Sequence, residues 1–226
     1  MPARWVVALV PAHDEEDRVA DTVRALSMIP GVAEAVVVDD GSRDRTAAEA
    51  LAAGATVLRI PRRVGKGAAL EGALRRLPAA DVWLLADADL AGSATALAWV
   101  LEEVLEDRAD VAIAALPPQG EGGFGTVKRN ARRAIRALSG FEAREPLSGQ
   151  RAITDVALQA CRPLASGFGV ETGMTIDAVR RGFRVVEIFA DLHHRPSGRS
   201  VRGFLHRGRQ GADIARAVAV RALRRR

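Results

Sequence analysis

Two aspartates, Asp87 and Asp89, stand one residue apart in Ala86-Asp87-Ala88-Asp89-Leu90, directly after the apolar run Val82-Trp83-Leu84-Leu85. In an extended strand, residues i and i+2 point the same way. Both carboxylates can therefore converge on one hard cation, which prefers oxygen ligands and can itself hold a diphosphate. A cation so placed would neutralise the charge that builds on a departing diphosphate. Taken alone, an Asp-x-Asp pair is also what a surface loop or a helix cap contains. The polar clusters that follow the neighbouring apolar runs decide between these readings.

Those runs alternate with helical patterns along the first half of the chain. The spacing predicts strands at Trp5–Val10, Ala35–Val38, Thr56–Ile60, Val82–Ala86 and Val111–Ala115. Between them it predicts helices over 16–27, 44–53 (capped by Ser42 or Asp44), 66–77 and 93–106 (capped by Ser93). Four strand–helix units in a row imply an α/β fold with a mostly parallel sheet and helices on both faces. Such sheets bind ligands beyond the carboxyl ends of their strands. The second half loses this rhythm: a glycine-rich loop at 117–125, a basic helix over 126–138, helices over 154–161 and 171–181, and a strand at Arg184–Phe189. With no internal repeat and no long linker, the economical organisation is one domain over 1–198 with a basic helical extension over 199–226.

Each early strand is followed by a polar cluster: Pro11-Ala12-His13-Asp14-Glu15-Glu16, Asp39-Asp40-Gly41-Ser42, Arg62-Arg63-Val64-Gly65-Lys66-Gly67, then Asp87-Ala88-Asp89. Four clusters at successive strand ends would share one edge of the sheet. In this order and spacing the chain resembles the family-two-type glycosyltransferases with the GT-A (Rossmann-like) fold, over residues 4–190. One departure is His13-Asp14, where that family has a Tyr-Asn pair. The resemblance implies that Pro11, Ala12 and Glu15 line a nucleotide pocket. It implies that Asp39 accepts from the base or ribose and that Lys66 faces the base or diphosphate. Asp87 would support the ribose, or the metal through water, and Asp89 would ligate Mg²⁺ or Mn²⁺. Only Lys66 and Lys128 are lysines, so a lysine at 66 hints at a specific need. A solvated turn lysine is the plain alternative.

The resemblance extends into the second half. Pro146-Leu147-Ser148-Gly149-Gln150-Arg151 looks like the acceptor-side segment of these enzymes, which makes Arg151 a catalytic candidate. Gly167-Phe168-Gly169-Val170-Glu171-Thr172-Gly173-Met174 resembles a stretch of the glucosyl-3-phosphoglycerate synthases. There a downstream histidine completes the metal site, which points here to His194, with His193 one residue away. Glu171 reads as an acceptor-binding or general-base carboxylate, or simply as an acid favoured at a helix N-terminus. Arg195, Arg199 and Arg202 follow the histidines and can engage phosphate through paired donors. Of these, Arg199 is the candidate for the donor diphosphate or a phosphorylated acceptor. Lys128, Arg129, Arg132 and Arg133 are a second basic group, either phosphate-binding or a solvated helix face. The loop at 117–125 would close over the acceptor and exclude water.

Composition sets the outer limits. The 226 residues carry a net charge of +5, unevenly spread: 199–226 holds nine Arg against Asp213 alone, leaving 24 basic against 27 acidic residues elsewhere. Such a tail suits phosphate groups or an anionic membrane surface. Ile214, Val218 and Ala222 would share one side of its helix, a weak interfacial pattern. No apolar run reaches the ~18–20 residues of a spanning helix, and Trp5–Val10 is too short for a leader. The lone Cys161 fits a reducing cytosol and a place in the core. Nucleic acid is not expected as a partner: there is no Tyr, and only 4% of residues are aromatic. The reading is a cytoplasmic, metal-dependent transferase, able to touch the inner face of the plasma membrane. It would move a sugar from a nucleotide sugar, UDP-glucose being the type, to a phosphorylated small molecule or a polyprenyl phosphate. Its partners would include a second copy of itself, as a homodimer; a sugar-phosphate nucleotidyltransferase, a non-catalytic nucleotide-sugar binder and a tail-driven nucleic-acid or membrane binder stand as alternatives. The nucleotidyltransferase lacks its Gly-rich opening here.

Overall fold

A computed structural model describes residues 4–115, 125–193 and 201–223. Seven strands form one sheet: β1 (Val6–Ala12), β2 (Val32–Asp40), β3 (Thr56–Ile60), β4 (Val82–Leu85), β5 (Val111–Ala115), β6 (Arg151–Thr154) and β7 (Val185–Phe189). Their order is β3-β2-β1-β4-β6-β5-β7. All pairings are parallel except those of β6, which runs antiparallel between β4 and β5. The chain thus winds outward from β1 to β3, then returns to place β4 on the other side of β1. That reversal opens a crevice beyond the carboxyl ends of β1 and β4.

Strand alternation builds two cores from one sheet. Val6, Ala8, Val10, Val82, Leu84, Ala112 and Ala114 face one layer. Val7, Leu9, Trp83, Leu85, Val111 and Ile113 face the other. The first layer is covered by α1 (Val19–Ser27) and α4 (Leu97–Leu105). In α1, Val19, Thr22, Val23 and Leu26 recur at helical spacing and are all buried. The second layer is covered by α3 (Lys66–Leu74), α6 (Asp155–Ala160) and α7 (Val170–Arg180). Trp83 is buried there, and its indole N–H donates to Asp155 Oδ1 at 2.8 Å. The remaining helices are α2 (Thr46–Ala52), α5 (Gly125–Ser139) and α8 (Val201–Leu223).

Three features differ from the sequence expectation. The strand β6 was not predicted, because its four residues begin with Arg151 and end at Thr154, whose hydroxyl caps α6. Ser93 does not cap a helix: it lies inside a 3-10 turn, Ala91–Ala96, and its hydroxyl donates to Leu90 O at 2.7 Å. The interfacial face foreseen on α8 is partly spent on the protein: Ile214 is buried, and Val218 packs against Ile135, Ala143 and Ile176. Cys161 is buried as expected. No helix among the described residues is long and apolar enough to cross a membrane. The loop at 117–125 lies outside the described residues except for Gly125, which opens α5.

Candidate active site at the carboxyl edge of the sheet

The β2 turn is built from its own carboxylates. Asp39, 1% exposed, accepts from Ser42 N at 2.9 Å and from Arg59 Nε at 3.3 Å. Asp40 uses both oxygens on a second segment, accepting from Val64 N at 2.7 Å and Gly65 N at 2.8 Å. It therefore ties the end of β2 to the start of α3, where Lys66 sits. His13 Nδ1 donates to Asp40 O at 2.9 Å, so the residue that departs from the family pattern staples β1 to β2. The β1 turn is stitched to the same loop: Glu15 N donates to Thr46 Oγ1 at 2.8 Å, and Asp14 N to Ser42 Oγ at 3.0 Å. Pro11 and Ala12 end β1, with Ala12 in register with Asp39. Neither Ser42 nor Asp44 is the N-cap of α2, which is Arg45 without a side-chain cap; Asp44, one residue earlier, accepts from Thr46 N at 2.9 Å. Burial opposes ionisation of Asp44, but its hydrogen bonds with Thr46 and Glu16 outweigh this and hold its carboxyl below the usual range.

Lys66 is the centre of the charged cluster at this edge. Its ammonium lies 2.6 Å from Asp87 Oδ1 and 2.7 Å from Glu171 Oε1. Burial works to lower its pKa, but the two carboxylates outweigh that and raise it well above the lysine norm. The second oxygen of Asp87 accepts from Gln150 Nε2. Gly149 passes so close that a Cβ there would fall on the Lys66 ammonium and stand 3.1 Å from Asp87 Oδ1. Because β6 is antiparallel, its opening residues meet the same edge as the parallel strand ends, and that brings Gly149 and Gln150 to Asp87. Arg151, expected on the acceptor side, is wholly buried. Its guanidinium donates to Ser148 O at 2.6 Å and Glu171 O at 3.4 Å, holding both segments from behind. Its guanidinium therefore meets backbone carbonyls, where a direct part in the reaction was expected. Burial lowers its pKa, with nearby carboxylates acting against that.

Asp89 follows on the same turn, partly buried. That turn is fixed to α1: Thr22 Oγ1 donates to Ala88 O at 2.8 Å and accepts from Ala91 N at 2.8 Å, while Arg18 Nη1 donates to Asp89 O at 3.2 Å. The segment after β7 arrives here too, because His193 N donates to Ser93 Oγ at 3.0 Å. The His193 side chain is largely exposed and lies 3.8 Å from Asp191. His194 and Arg199 lie outside the described residues. Among the described residues no three His, Cys, Asp or Glu side chains gather as a metal-binding group. The carboxylate of Asp89 is a hard oxygen donor of the kind Mg²⁺ and Mn²⁺ take.

The structure thus brings Ala12, Asp39, Lys66, Asp87, Asp89 and Glu171 to one edge. It adds Asp40, Gly149, Gln150 and Thr22, which sequence reasoning did not single out. Gly149 and Gln150 sat in a quoted motif, but without β6 nothing said which edge they met. In the second basic group, Lys128 pairs with Glu145 and Arg132 donates to Arg144 O, whereas Arg129 and Arg133 are exposed.

A doubly wound sheet with carboxylates and a lysine at its switch point places the chain among the α/β proteins whose ligand sites lie beyond the carboxyl ends of the strands. Comparison with known proteins makes this specific. The family model described as Glycosyl transferase family 2 matches residues 7–159, and the chain belongs to that family. A glycosyltransferase of Haloferax volcanii, AglJ, is 30% identical over 201 residues, covering 85% of this chain and 64% of its own length. A glucosyl-3-phosphoglycerate synthase of Mycolicibacterium paratuberculosis is 30% identical over 205 residues, covering 79% and 61%. The chain therefore spans less than two thirds of the length of these curated relatives. The fold matches crystal structures of glucosyl-3-phosphoglycerate synthase from Mycobacterium tuberculosis. The complex with Mn²⁺, UDP and phosphoglyceric acid has a TM-score of 0.82 and 25% identity, covering 96% of this chain and 78% of that one. The complex with Mn²⁺, UDP-glucose and glycerol 3-phosphate has a TM-score of 0.79 and 25% identity, covering 96% and 80%.

Proposed function

We propose that the protein transfers a sugar from a UDP-sugar, with UDP-glucose as the type, to a phosphorylated acceptor with the help of Mg²⁺ or Mn²⁺. The observation that carries this reading is the Lys66–Asp87–Glu171 cluster beside Asp89 at the switch point of the sheet. Asp39, 1% exposed and anchored by Ser42 and Arg59, is the rigid acceptor for a base or ribose donor at the β1–β2 end. Pro11, Ala12 and Glu15 form the neighbouring wall. Lys66 brings a charged N–H donor to the strand ends, where a diphosphate would lie; its two carboxylate partners leave the bound metal to supply the net positive charge. Asp89, with His194, would hold the metal, which when bound neutralises charge on the leaving diphosphate. Arg199 is assigned to the phosphates. Glu171 carries an acceptor hydroxyl or helps to set Lys66, and Arg151 fixes its backbone from behind.

The relatives support one acceptor class first. The mycobacterial structures hold phosphoglyceric acid or glycerol 3-phosphate, so a small phosphorylated molecule is the first candidate. A polyprenyl-phosphate acceptor at an anionic membrane is the second reading, favoured by the exposed Arg129 and Arg133 on α5 and by the arginines of 199–226 apart from the buried Arg221. We assign residues 1–198 to the transferase domain and 199–226 to its extension. The deciding experiment supplies radiolabelled UDP-glucose and Mn²⁺ with either 3-phosphoglycerate or a short polyprenyl phosphate. A new charged water-soluble product selects the first acceptor, and an organic-phase product selects the second. No product from any UDP-sugar with either acceptor would overturn the proposal.

A further inference from the structure

The nine arginines of the tail are not equivalent. Arg216 is exposed, whereas Arg221 is 4% exposed in the interface between α8 and α7. Its Nε donates to Asp177 Oδ2 at 2.8 Å and to Gly173 O at 3.2 Å, and its Nη1 donates to Ala217 O at 3.2 Å. In return, Arg180 Nη1 donates to Arg221 O at 2.8 Å. A solvated, membrane-seeking arginine would have none of these partners.

The contact is also unusually close. A Cβ at Gly169 would stand 2.7 Å from both Ala217 Cβ and Asp213 O, and one at Gly173 would stand 2.8 Å from Arg221 Cζ. The segment from 165 to 173 is pressed from its other side by the Gly65-Lys66-Gly67 turn: Gly67 packs on Ala165 O with no room for a side chain, and Gly65 approaches Gly167. The chain of contacts therefore runs from α8, through the first turns of α7, to Lys66. Glu171 lies within those turns, between the two glycines that α8 grips, and its carboxylate meets the Lys66 ammonium at 2.7 Å.

We infer that Arg221 is a positioning residue for the Glu171–Lys66 bridge, acting through α7 from the C-terminal helix. This rests on the reading of that bridge as part of the donor site. Packed elements move as units rather than deforming smoothly, so loosening the Arg221 anchor shifts Glu171 relative to a lysine held on a different element. Lys66 belongs to α3, whose N-terminus is fixed separately by Asp40. The relative placement of the two charges is thus set by Asp40 at one end and by α8 at the other, with the Gly67–Ala165 contact between them.

The test exploits the presence of only two lysines, Lys66 and Lys128. Protein labelled with ¹⁵N-lysine gives two Nζ signals by NMR, and the Lys66 signal reports its carboxylate partners without any substrate. Arg221→Ala is compared with Arg221→Lys, whose ammonium can still reach Asp177, and with Val104→Ala. Val104 is buried on α4 in the opposite layer, so its variant controls for lost stability. Should Arg221→Ala not fold, Asp177→Asn carries the same comparison. The expected result is a shifted or broadened Lys66 signal in Arg221→Ala, largely restored in Arg221→Lys and unmoved in Val104→Ala. Turnover of the UDP-sugar should show kcat lower by about tenfold and the donor KM raised, as expected for a misplaced group in the donor site. An unmoved Lys66 signal, with kcat no lower than in Val104→Ala, would overturn the inference and leave α8 a stabilising brace. A wild type that moves no sugar while its Lys66 signal still answers to Arg221 would refute the proposed reaction and leave the positioning intact.

Discussion

Gly149→Ala tests the geometry of the crevice with the smallest available change. The added methyl would occupy the position of the Lys66 ammonium and crowd Asp87 Oδ1 at 3.1 Å and Glu171 Oε1 at 3.3 Å. The lysine head is the movable neighbour, so it must leave both carboxylates. Each hydrogen bond between charged groups contributes ~1.5–3 kcal/mol net. The Lys66 side chain is 22% exposed, so the displaced ammonium regains water and the two losses do not add in full. A destabilisation of about 2–3 kcal/mol follows, or roughly 4–12 °C in Tm for a chain of this size. Gly72→Ala is the matched control. Gly72 lies inside α3 with open space around it, so alanine there should stabilise by ~0.5–1 kcal/mol. The assay is thermal unfolding of both variants, with UDP affinity measured in parallel. A Gly149→Ala protein that melts and binds UDP like wild type would refute the placement of Lys66 between the two carboxylates.

Asp40→Asn leaves one oxygen for the two backbone donors of Val64 and Gly65, so it should cost ~1–3 kcal/mol and weaken UDP binding, as read by denaturant unfolding and calorimetry. Burial opposes ionisation of Glu71, but Arg162 and the Leu164 N–H outweigh it and hold the carboxyl below its ordinary 4.5. A depressed carboxyl stabilises above its unfolded value and loses that contribution as pH falls through its folded one. Glu71→Gln should therefore melt below wild type at neutral pH, the gap closing as the pH drops under 4.5. Lys66 works in the opposite sense: its raised value means a contribution that is complete below 10.5 and fades as pH climbs past it, so alkaline unfolding should be later in wild type than in Lys66→Met. Burial pushes the Cys161 thiol up to about 11, so it should resist a thiol reagent at pH 8 in the native protein and react at once on unfolding.

The first half of the fold was legible because each layer repeats one signal. Thr56–Ile60 and Val111–Ala115 match the observed strands end to end, since they are short apolar runs bounded by turn residues. What escaped was decided by tertiary pairing. The strand β6 has only Ala152 and Ile153 as apolar members, and it is recognisable only once β4 and β5 stand on either side of it. With it went the reason for Gly149 and Gln150. The same holds for Arg151, expected on the acceptor side, and for Arg221, one of many arginines in the tail: both are buried. Thr22 reads as an ordinary helix residue, yet its hydroxyl fixes the Asp89 turn from α1. Lys66 was legible through its rarity and its glycine neighbours, although its ion pairs needed α7 to be in place.

Calorimetric titration of UDP into the protein with Mn²⁺, repeated with a chelator and with Asp89→Ala, tests the central claim most directly. The account predicts binding in wild type that is weakened at least tenfold by the chelator and by Asp89→Ala, with Tm without ligand little changed because the Asp89 carboxylate is partly exposed. Equal UDP affinity in all three, or none in wild type, would contradict a metal-assisted nucleotide-sugar site at the carboxyl edge of this sheet.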